Sequence, residues 1–195
     1  MSHAAGHGHG VAEGDNKKVA ILISVLALLL SIAEVLGKSA QTDAIKYNVE
    51  ASNTWAFFQA KTIRRTTVET AAELLEILAQ GAQSAPAKEK QEQRVNSWKT
   101  RAARYESEPE TGEGRKELMA KARMLETRSE RSLAKYHNFE YSSAAFQIAI
   151  VLASSYIVTG VLYLLWCAGA MGVIGVLFSV VGIFAPYALS FVVGH

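Results

Sequence analysis

Residues 141–194 read YSSAAFQIAIVLASSYIVTGVLYLLWCAGAMGVIGVLFSVVGIFAPYALSFVVG and contain no Asp, Glu, Lys or Arg. A helix needs about 20 apolar residues to cross a hydrocarbon core of about 30 Å. A charge at the centre of that core costs at least about 2.5 kcal/mol. The stretch is long enough for two crossings, which we predict at residues 141–166 and 168–193. The chain is therefore predicted to be a membrane protein.

A third apolar segment lies near the N-terminus and predicts a transmembrane helix over residues 17–37. Lys17 and Lys18 precede its apolar run, as basic residues often do at the cytoplasmic end of a span. Glu34 and Lys38 are four residues apart, which places them on one helix face and predicts an ion pair at the membrane surface.

A cleaved signal peptide is the alternative reading of this segment. A basic pair, a short apolar run and the small-residue triplet Ser31-Ile32-Ala33 also fit the pattern of a secretory leader. Cleavage there would leave a chain with two spans.

The first 16 residues are rich in Gly, Ala and His and lack an apolar period, which predicts a disordered tail over residues 1–16. His3, His7 and His9 are the candidate metal ligands in this tail. No ordered scaffold, cysteine or carboxylate completes a site around them, so we expect no physiological metal.

Almost all of the charge lies between Lys38 and Glu140, where the sequence holds 18 basic and 15 acidic residues. Interspersed signs are typical of a solvated helical surface, whereas a nucleic-acid interface is clustered and basic. We therefore predict an extramembrane helical domain over residues 38–140 and no nucleic-acid partner.

Glycine and proline divide this domain into three predicted helices, over residues 39–80, 87–107 and from 115 onward. The last has a coiled-coil spacing of four and three residues, which predicts packing against the first long helix. The fold class is thus an all-α membrane protein: three transmembrane helices, with a long helical hairpin or coiled-coil domain between the first and the second. The seam residues are Leu118, Ala122, Leu125, Ser129, Ser132, Tyr136 and Phe139.

The last predicted span carries a helix-packing face of small residues at the same spacing. Small side chains let helix backbones approach closely in lipid, where dispersion contacts drive association. The sequence leaves open whether this face packs within one chain or between subunits, and a conducting pore is the less favoured alternative. The face comprises Ala168, Gly172, Gly175, Ser179 and Gly182, and Pro186 extends it.

Two aromatic groups are candidate interaction sites outside the spans. Trp55, Phe57 and Phe58 predict either burial inside the helical domain or a surface that binds a partner. A second group precedes residue 141 and predicts an interfacial belt of basic and aromatic side chains at the headgroup level. The belt comprises Lys135, Tyr136, His137, Phe139 and Tyr141.

No nucleotide-binding loop, nucleophile elbow, zinc-protease motif or paired-acid arrangement stands out in the sequence. We therefore expect no catalytic residues, no cofactor and no small-molecule substrate. The single cysteine, Cys167, excludes an intramolecular disulfide. The favoured function is a non-enzymatic scaffold or accessory subunit that self-associates or joins a larger membrane complex in the lipid bilayer. The alternative is an oligomeric channel or transport component.

Two blocks carry a family resemblance: ASNTWAFFQAKTIRRTTVETAAELL at residues 51–75 and KYHNFEYSSAAFQIAIVLAS at residues 135–154. They resemble a bacterial family of inner-membrane proteins, the domain of unknown function 4337 type. The resemblance implies one N-terminal and two C-terminal spans and implies no activity. Members often carry basic residues between the last two spans, which implies that this link and the N-terminus are cytoplasmic. Here the expected link around Trp166 and Cys167 has none.

Overall fold

The computed structural model describes residues 9–81 and 85–188, and within these residues every regular element is an α-helix. The helices are α1 (His9–Gln80), α2 (Ala85–Glu106), α3 (Arg115–Thr159) and α4 (Leu162–Phe184). Helices α1, α3 and α4 are each long and apolar enough, by length and composition, to cross a membrane. The predicted fold class is confirmed.

The chain divides into two compact units. The apolar unit contains the described residues up to Ala44 and from Glu130 onward. The charged unit is Ile45–Ser129 and contains the second half of α1, all of α2 and the start of α3.

In the apolar unit the inward side of α1 repeats every seven residues. Val19, Leu26, Ala33 and Ala40 are buried at this spacing. Leu26 and Ala33 pack with Phe146 and Ala149 of α3, whereas Val19 packs with Ala153 and Ala168. A seven-residue repeat keeps one face of a helix turned toward its neighbours, so this side of α1 is set by sequence spacing.

In the charged unit the inward side of α1 is less apolar. Thr54 and Lys61 are buried seven residues apart, and Ala51, Ala72 and Ala79 are buried on the adjoining row. Among the described residues of this unit, further buried apolar side chains come from α2 and α3: Val95, Ala102, Leu118, Ala122 and Leu125. The last three are members of the coiled-coil seam predicted for α3.

The interhelical breaks of the charged unit follow glycine and proline. Gly81 donates its backbone N–H to the carbonyl of Leu78 at the end of α1, and Pro86 occupies the first turn of α2. Between α2 and α3 the chain turns at Gly112, whose φ of 68° is in the left-handed region that glycine tolerates best. The predicted helix boundaries at these breaks agree with the structure to within two residues.

Two predicted boundaries are wrong. Helix α1 begins at His9, so residues 9–16 are helical instead of disordered, and residues 1–8, including His3 and His7, lie outside the described residues. The last two spans separate at Gly160, not around Cys167. Gly160 has a φ of 69° and donates its N–H to the carbonyl of Tyr156, which ends α3 in the manner of a glycine cap.

The third span is accordingly displaced toward the N-terminus. Helix α4 begins at Leu162 and contains Cys167, whereas a span over residues 168–193 was predicted. It ends at Phe184, two residues before Pro186, because proline cannot continue the hydrogen-bonded ladder. Residues 189–193 of the predicted span lie outside the described residues.

Candidate functional site

The small-residue face of α4 lies inside the apolar unit, against α1 and α3. Ala168, Gly172, Gly175 and Gly182 are buried, and Ser179 is half-buried. The contacts of these residues are with helices of the same chain, so the structure places this face in intramolecular packing.

Two phenylalanines of α3 fill the space that the glycines of α4 leave. A Cβ atom built on Gly175 would lie 2.7 Å from Cε1 of Phe146, and one built on Gly182 would lie 3.4 Å from Cζ of Phe139. The two glycines are seven residues apart, and so are the two phenylalanines. Helices α3 and α4 therefore pair in antiparallel register, with Phe146 over Gly175 and with Asn138 and Phe139 over Gly182.

Helix α1 approaches both partners over further glycines. A Cβ atom on Gly172 of α4 would lie 3.0 Å from Cδ2 of Leu26. On α1 itself, a Cβ atom on Gly37 would lie 3.2 Å from Cβ of Phe139. Glycine thus permits close approach at three helix pairs, which is how helices gain dispersion contact without a hydrophobic driving force.

Buried hydrogen bonds also connect α3 with α4 and with the residues that follow α4. The Ser142 hydroxyl donates to the carbonyl of Gly175 at 2.8 Å, and its oxygen lies 2.6 Å from that of Ser179. One turn earlier, the Asn138 amide donates to the carbonyls of Ala134 and Pro186, at 2.8 and 2.9 Å. These bonds fix the register of α3 against α4 and against the chain that follows α4, because a polar group buried among apolar helices must find a partner.

Glu34 is an acidic residue within the apolar part of α1. Its carboxylate accepts a hydrogen bond of 3.4 Å from the amide of Gln147 on α3, and both side chains are exposed on the outside of the unit. The pair forms a polar contact between α1 and α3.

The five residues of the predicted interfacial belt do not share one environment. Phe139 is buried beneath Gly37 and Gly182 and belongs to the helix packing, so its assignment to a surface belt is wrong. Lys135 and Tyr136 are half-buried, whereas His137 and Tyr141 are exposed. His137 lies 3.4 Å from a carboxylate oxygen of Glu140, and the ring of Tyr141 lies 5.6 Å from that of Phe178 on α4.

In the charged unit, one carboxylate joins all three helices. Oε2 of Glu106, at the end of α2, accepts hydrogen bonds of 2.6 Å from Arg65 of α1 and from Arg115 of α3. Arg115 also donates to the hydroxyl of Thr62 on α1, at 2.9 Å. The three charged side chains are partly buried, so charge-assisted bonds of this length hold the end of α2 and the start of α3 to the interior of α1.

One member of the predicted aromatic group, Phe58, contacts this junction. Trp55 donates its indole N–H to Glu126 of α3 at 2.7 Å and meets the ring of Phe58 edge to face, with centroids 5.3 Å apart. The guanidinium of Arg115 lies 5.1 Å from the Phe58 centroid. Trp55 and Phe58 therefore make contacts within the unit, whereas Phe57 is 39% exposed.

A buried lysine lies beside these rings. Lys61 is only 6% exposed, and its ammonium nitrogen is 5.6 Å from the ring centroid of Phe57 and 5.5 Å from that of Tyr105 on α2. Glu113 supplies a carboxylate at 3.5 Å. Two aromatic faces and one carboxylate compensate the loss of water around the cation.

The turn between α2 and α3 is held by glutamates. Glu117 accepts hydrogen bonds from the Ser107 hydroxyl at 2.6 Å and from the backbone N–H of Glu108 at 3.3 Å. The Ser107 bond is the main cause that lowers the pKa of Glu117 below its ordinary value of 4.5. The pKa of Glu108 is likewise lowered, chiefly by its hydrogen bond to Arg104.

Sequence reasoning missed the residues that complete both sites. Phe146 and Ser142 were not singled out. Phe139, Phe146 and Ala153 follow one seven-residue repeat that would have identified Phe146, whereas Ser142 lies outside this repeat. Glu106, Arg115 and Lys61 gave no such signal, because charged residues are frequent throughout this part of the sequence. Among the described residues, no group of three or more His, Cys, Asp or Glu side chains could hold a metal ion.

These features define an all-α protein in which three membrane-length helices are joined to a charged helical unit. A family described as Domain of unknown function (DUF4337) matches residues 15–185. The match covers most of the chain, so the protein belongs to this family, and the resemblance found in the sequence is confirmed. Comparisons with curated proteins and with solved structures return no match.

Proposed function

We propose that this protein is a non-enzymatic, membrane-anchored scaffold or accessory subunit that self-associates or joins a larger membrane complex. The observation that carries the proposal is helix α1, one element of 72 residues. Its first part is apolar enough to cross a membrane, and its second part contributes one of the three helices of the charged unit. A helix of this kind anchors an extramembrane surface to the bilayer.

The sequence left open whether the small-residue face of α4 packs within one chain or between subunits, and its contacts in the structure support packing within the chain. Phe146 and Leu26 of the same chain occupy the space beside its glycines. This face therefore packs the three membrane-length helices against one another. We therefore expect other molecules to bind the outer surfaces of the helices, above all those of the charged unit.

The proposal places the protein in a bacterial inner membrane with the charged unit in the periplasm. Lys17 and Lys18 precede the first apolar helix and favour a cytoplasmic N-terminus under the positive-inside rule. The basic residues between Lys121 and Lys135 favour the opposite orientation, but long domains cross largely regardless of their charge. A membrane-impermeant maleimide tests the orientation: Glu89→Cys in a Cys167→Ala chain should be labelled once the outer membrane is permeabilised.

Native mass in lipid nanodiscs tests the association. We expect either a homomer or a complex with a foreign membrane protein at fixed stoichiometry. A monomer without any partner, obtained from membranes without a detergent step, would overturn the scaffold proposal.

A channel or transport component is the second candidate, and Glu34 is the observation that favours it. Ionisable residues in apolar helices frequently line pathways for ions or protons, and the Glu34 carboxylate is exposed beside Gln147. Ion flux through proteoliposomes should then fall in Glu34→Gln and persist in Glu140→Gln. Equal flux through both variants, or no flux above that of empty vesicles, would exclude this role.

A further inference from the structure

The outward side of α1 in the charged unit carries no charge. On a helix that turns about 100° per residue, the eight Asp, Glu, Lys and Arg residues between Ile45 and Gln80 fall in one half of the circumference. The other half contains what we call the outer stripe: Val49, Asn53, Ala56, Ala60, Ile63, Thr67, Thr70, Leu74 and Ile77. Solvated helix faces ordinarily hold the charges, so this distribution is the reverse of that in a helix whose outward side only meets water.

The outer stripe is accessible and lies opposite the face that α1 turns toward α2 and α3. Ile63 is 67% exposed and Ile77 is 66% exposed, whereas Lys61 and Ala72 on the inward side are buried. Except for the half-buried Ala60, every member of the stripe is exposed. The helix therefore has two seams, of which one packs within the chain and the other is not covered by any residue that the structure describes.

The spacing of the outer stripe is that of a coiled coil. Its members alternate steps of four and three, so that Val49, Ala56, Ile63, Thr70 and Ile77 occupy one core position of a heptad. Asn53, Ala60, Thr67 and Leu74 occupy the other. Asn53 is the amide side chain in this set, and a single asparagine in a coiled-coil core specifies register.

We infer that the outer stripe pairs in parallel with the outer stripe of a second copy of this chain. The inference rests on the proposed function, and it names the partner and the surface. Two copies inserted in the same membrane with the same topology present their α1 helices in the same direction. Identical residues then meet across a two-fold axis, which is the commonest symmetry of soluble homo-oligomers.

The charges that flank the stripe suit a second copy of this chain. In a parallel pair, the positions that flank the seam face each other across the two helices. Gln59 of one helix then faces Arg64 of the other, and Glu73 faces Leu78. No like charges meet in this register, so a second copy can pair along the stripe without electrostatic repulsion. The alanines and threonines make the seam weak, but confinement to one membrane raises the effective concentration of a second copy.

Position-specific cross-linking in native membranes tests the inference. The full chain with Cys167→Ala would carry one new cysteine at either end of the stripe, as Val49→Cys or Ile77→Cys. Asn48→Cys and Glu76→Cys are the matched controls, because each lies one residue away, is exposed and points away from the predicted seam. Copies with two different tags, treated with a short bismaleimide, would identify a homodimer.

We expect the core positions at both ends to yield about tenfold more homodimer than their neighbours. Adding Ile63→Asp to the Val49→Cys chain should lower the dimer yield about tenfold, because two carboxylates would meet in the seam. Met124→Asp, an equivalent change at an exposed position on α3, should leave the yield unchanged. Circular dichroism of each variant would establish that the helices remain folded.

Three outcomes would overturn the inference: equal yields at core and control positions, cross-linking at one end only, or capture of a foreign protein by Val49→Cys. Native mass distinguishes these from failure of the proposed function. A homomer or a foreign complex that lacks cross-links along the stripe leaves the scaffold role standing and rejects this surface.

Discussion

The ring of Phe146 occupies the space into which a side chain on Gly175 would extend, with 2.7 Å between its Cε1 atom and the position of a Cβ atom there. Atoms of neighbouring side chains do not approach so closely, and the phenylalanine is almost completely buried. The glycine is therefore required by α3, which explains the small-residue spacing of α4 without any second molecule.

Replacing Gly175 by alanine should destabilise the apolar unit by about 1 to 3 kcal/mol, the usual cost of forcing extra volume into a filled core. Gly169→Ala is the matched control on the same helix, since a Cβ atom there has no neighbour within 4 Å. Thermal unfolding of both variants in one detergent would measure the effect. Equal melting temperatures would mean that the Phe146 ring does not restrict this site.

A double-mutant cycle would assign the cost to the ring. Phe146→Leu removes volume from the contact, so Gly175→Ala should cost less in that background than in the native chain. Additive effects would show that the two residues act independently.

Ser142 provides the second test of the same interface. Ser142→Ala removes the hydrogen bond to the Gly175 carbonyl and the contact with Ser179. It should cost about 0.6 kcal/mol, the average for bonds between membrane helices, and at most about 1.7 kcal/mol. Ser154→Ala is the control, because the Ser154 hydroxyl donates within its own helix, to the carbonyl of Ile150. Similar losses in the two variants would argue against a role for Ser142 in helix register.

The helix breaks of the charged unit could be predicted from the sequence because they depend on glycine and proline. Gly81, Pro86 and Gly112 divide the charged unit, and each acts through local backbone chemistry that a sequence displays directly. Gly160 has the same chemistry, but it lies in a long apolar stretch where division by length placed the break near Cys167. Local signals therefore outweigh the length of an apolar run in locating the end of a span.

The sites were harder to predict because they depend on pairs of distant residues. The spacing of Gly175 and Gly182 identified a packing face, yet only the structure places Phe146 and Phe139 over them. Likewise, no sequence period distinguishes Glu106 from the other acids of the charged unit. Its role comes from the position of α2 between Arg65 and Arg115.

Glu106→Gln should lower the stability of the charged unit by about 1 kcal/mol, because it weakens two ion pairs that solvent partly screens. The loss should shrink at high ionic strength, where such pairs contribute less. Glu92→Gln, the same change at an exposed position on α2, is the control. Thermal unfolding at low and high salt would measure both, and a loss that does not depend on salt would contradict the electrostatic explanation.

The turn between α2 and α3 predicts a dependence of stability on pH. The pKa of Glu117 is lowered in the folded protein, first by the Ser107 hydroxyl and then by backbone N–H groups. A lowered folded pKa means that the ionised carboxylate stabilises the fold above its ordinary pKa of 4.5, and that this contribution is lost as the pH falls through the folded value.

Glu117→Gln should therefore melt below the native chain at neutral pH, and the difference should narrow under acid conditions. Glu110→Gln, an exposed acid in the same turn, controls for the change in net charge. Melting temperatures of the three chains across this range would test the linkage, and a constant gap between Glu117→Gln and the native chain would show that ionisation of Glu117 does not stabilise the turn.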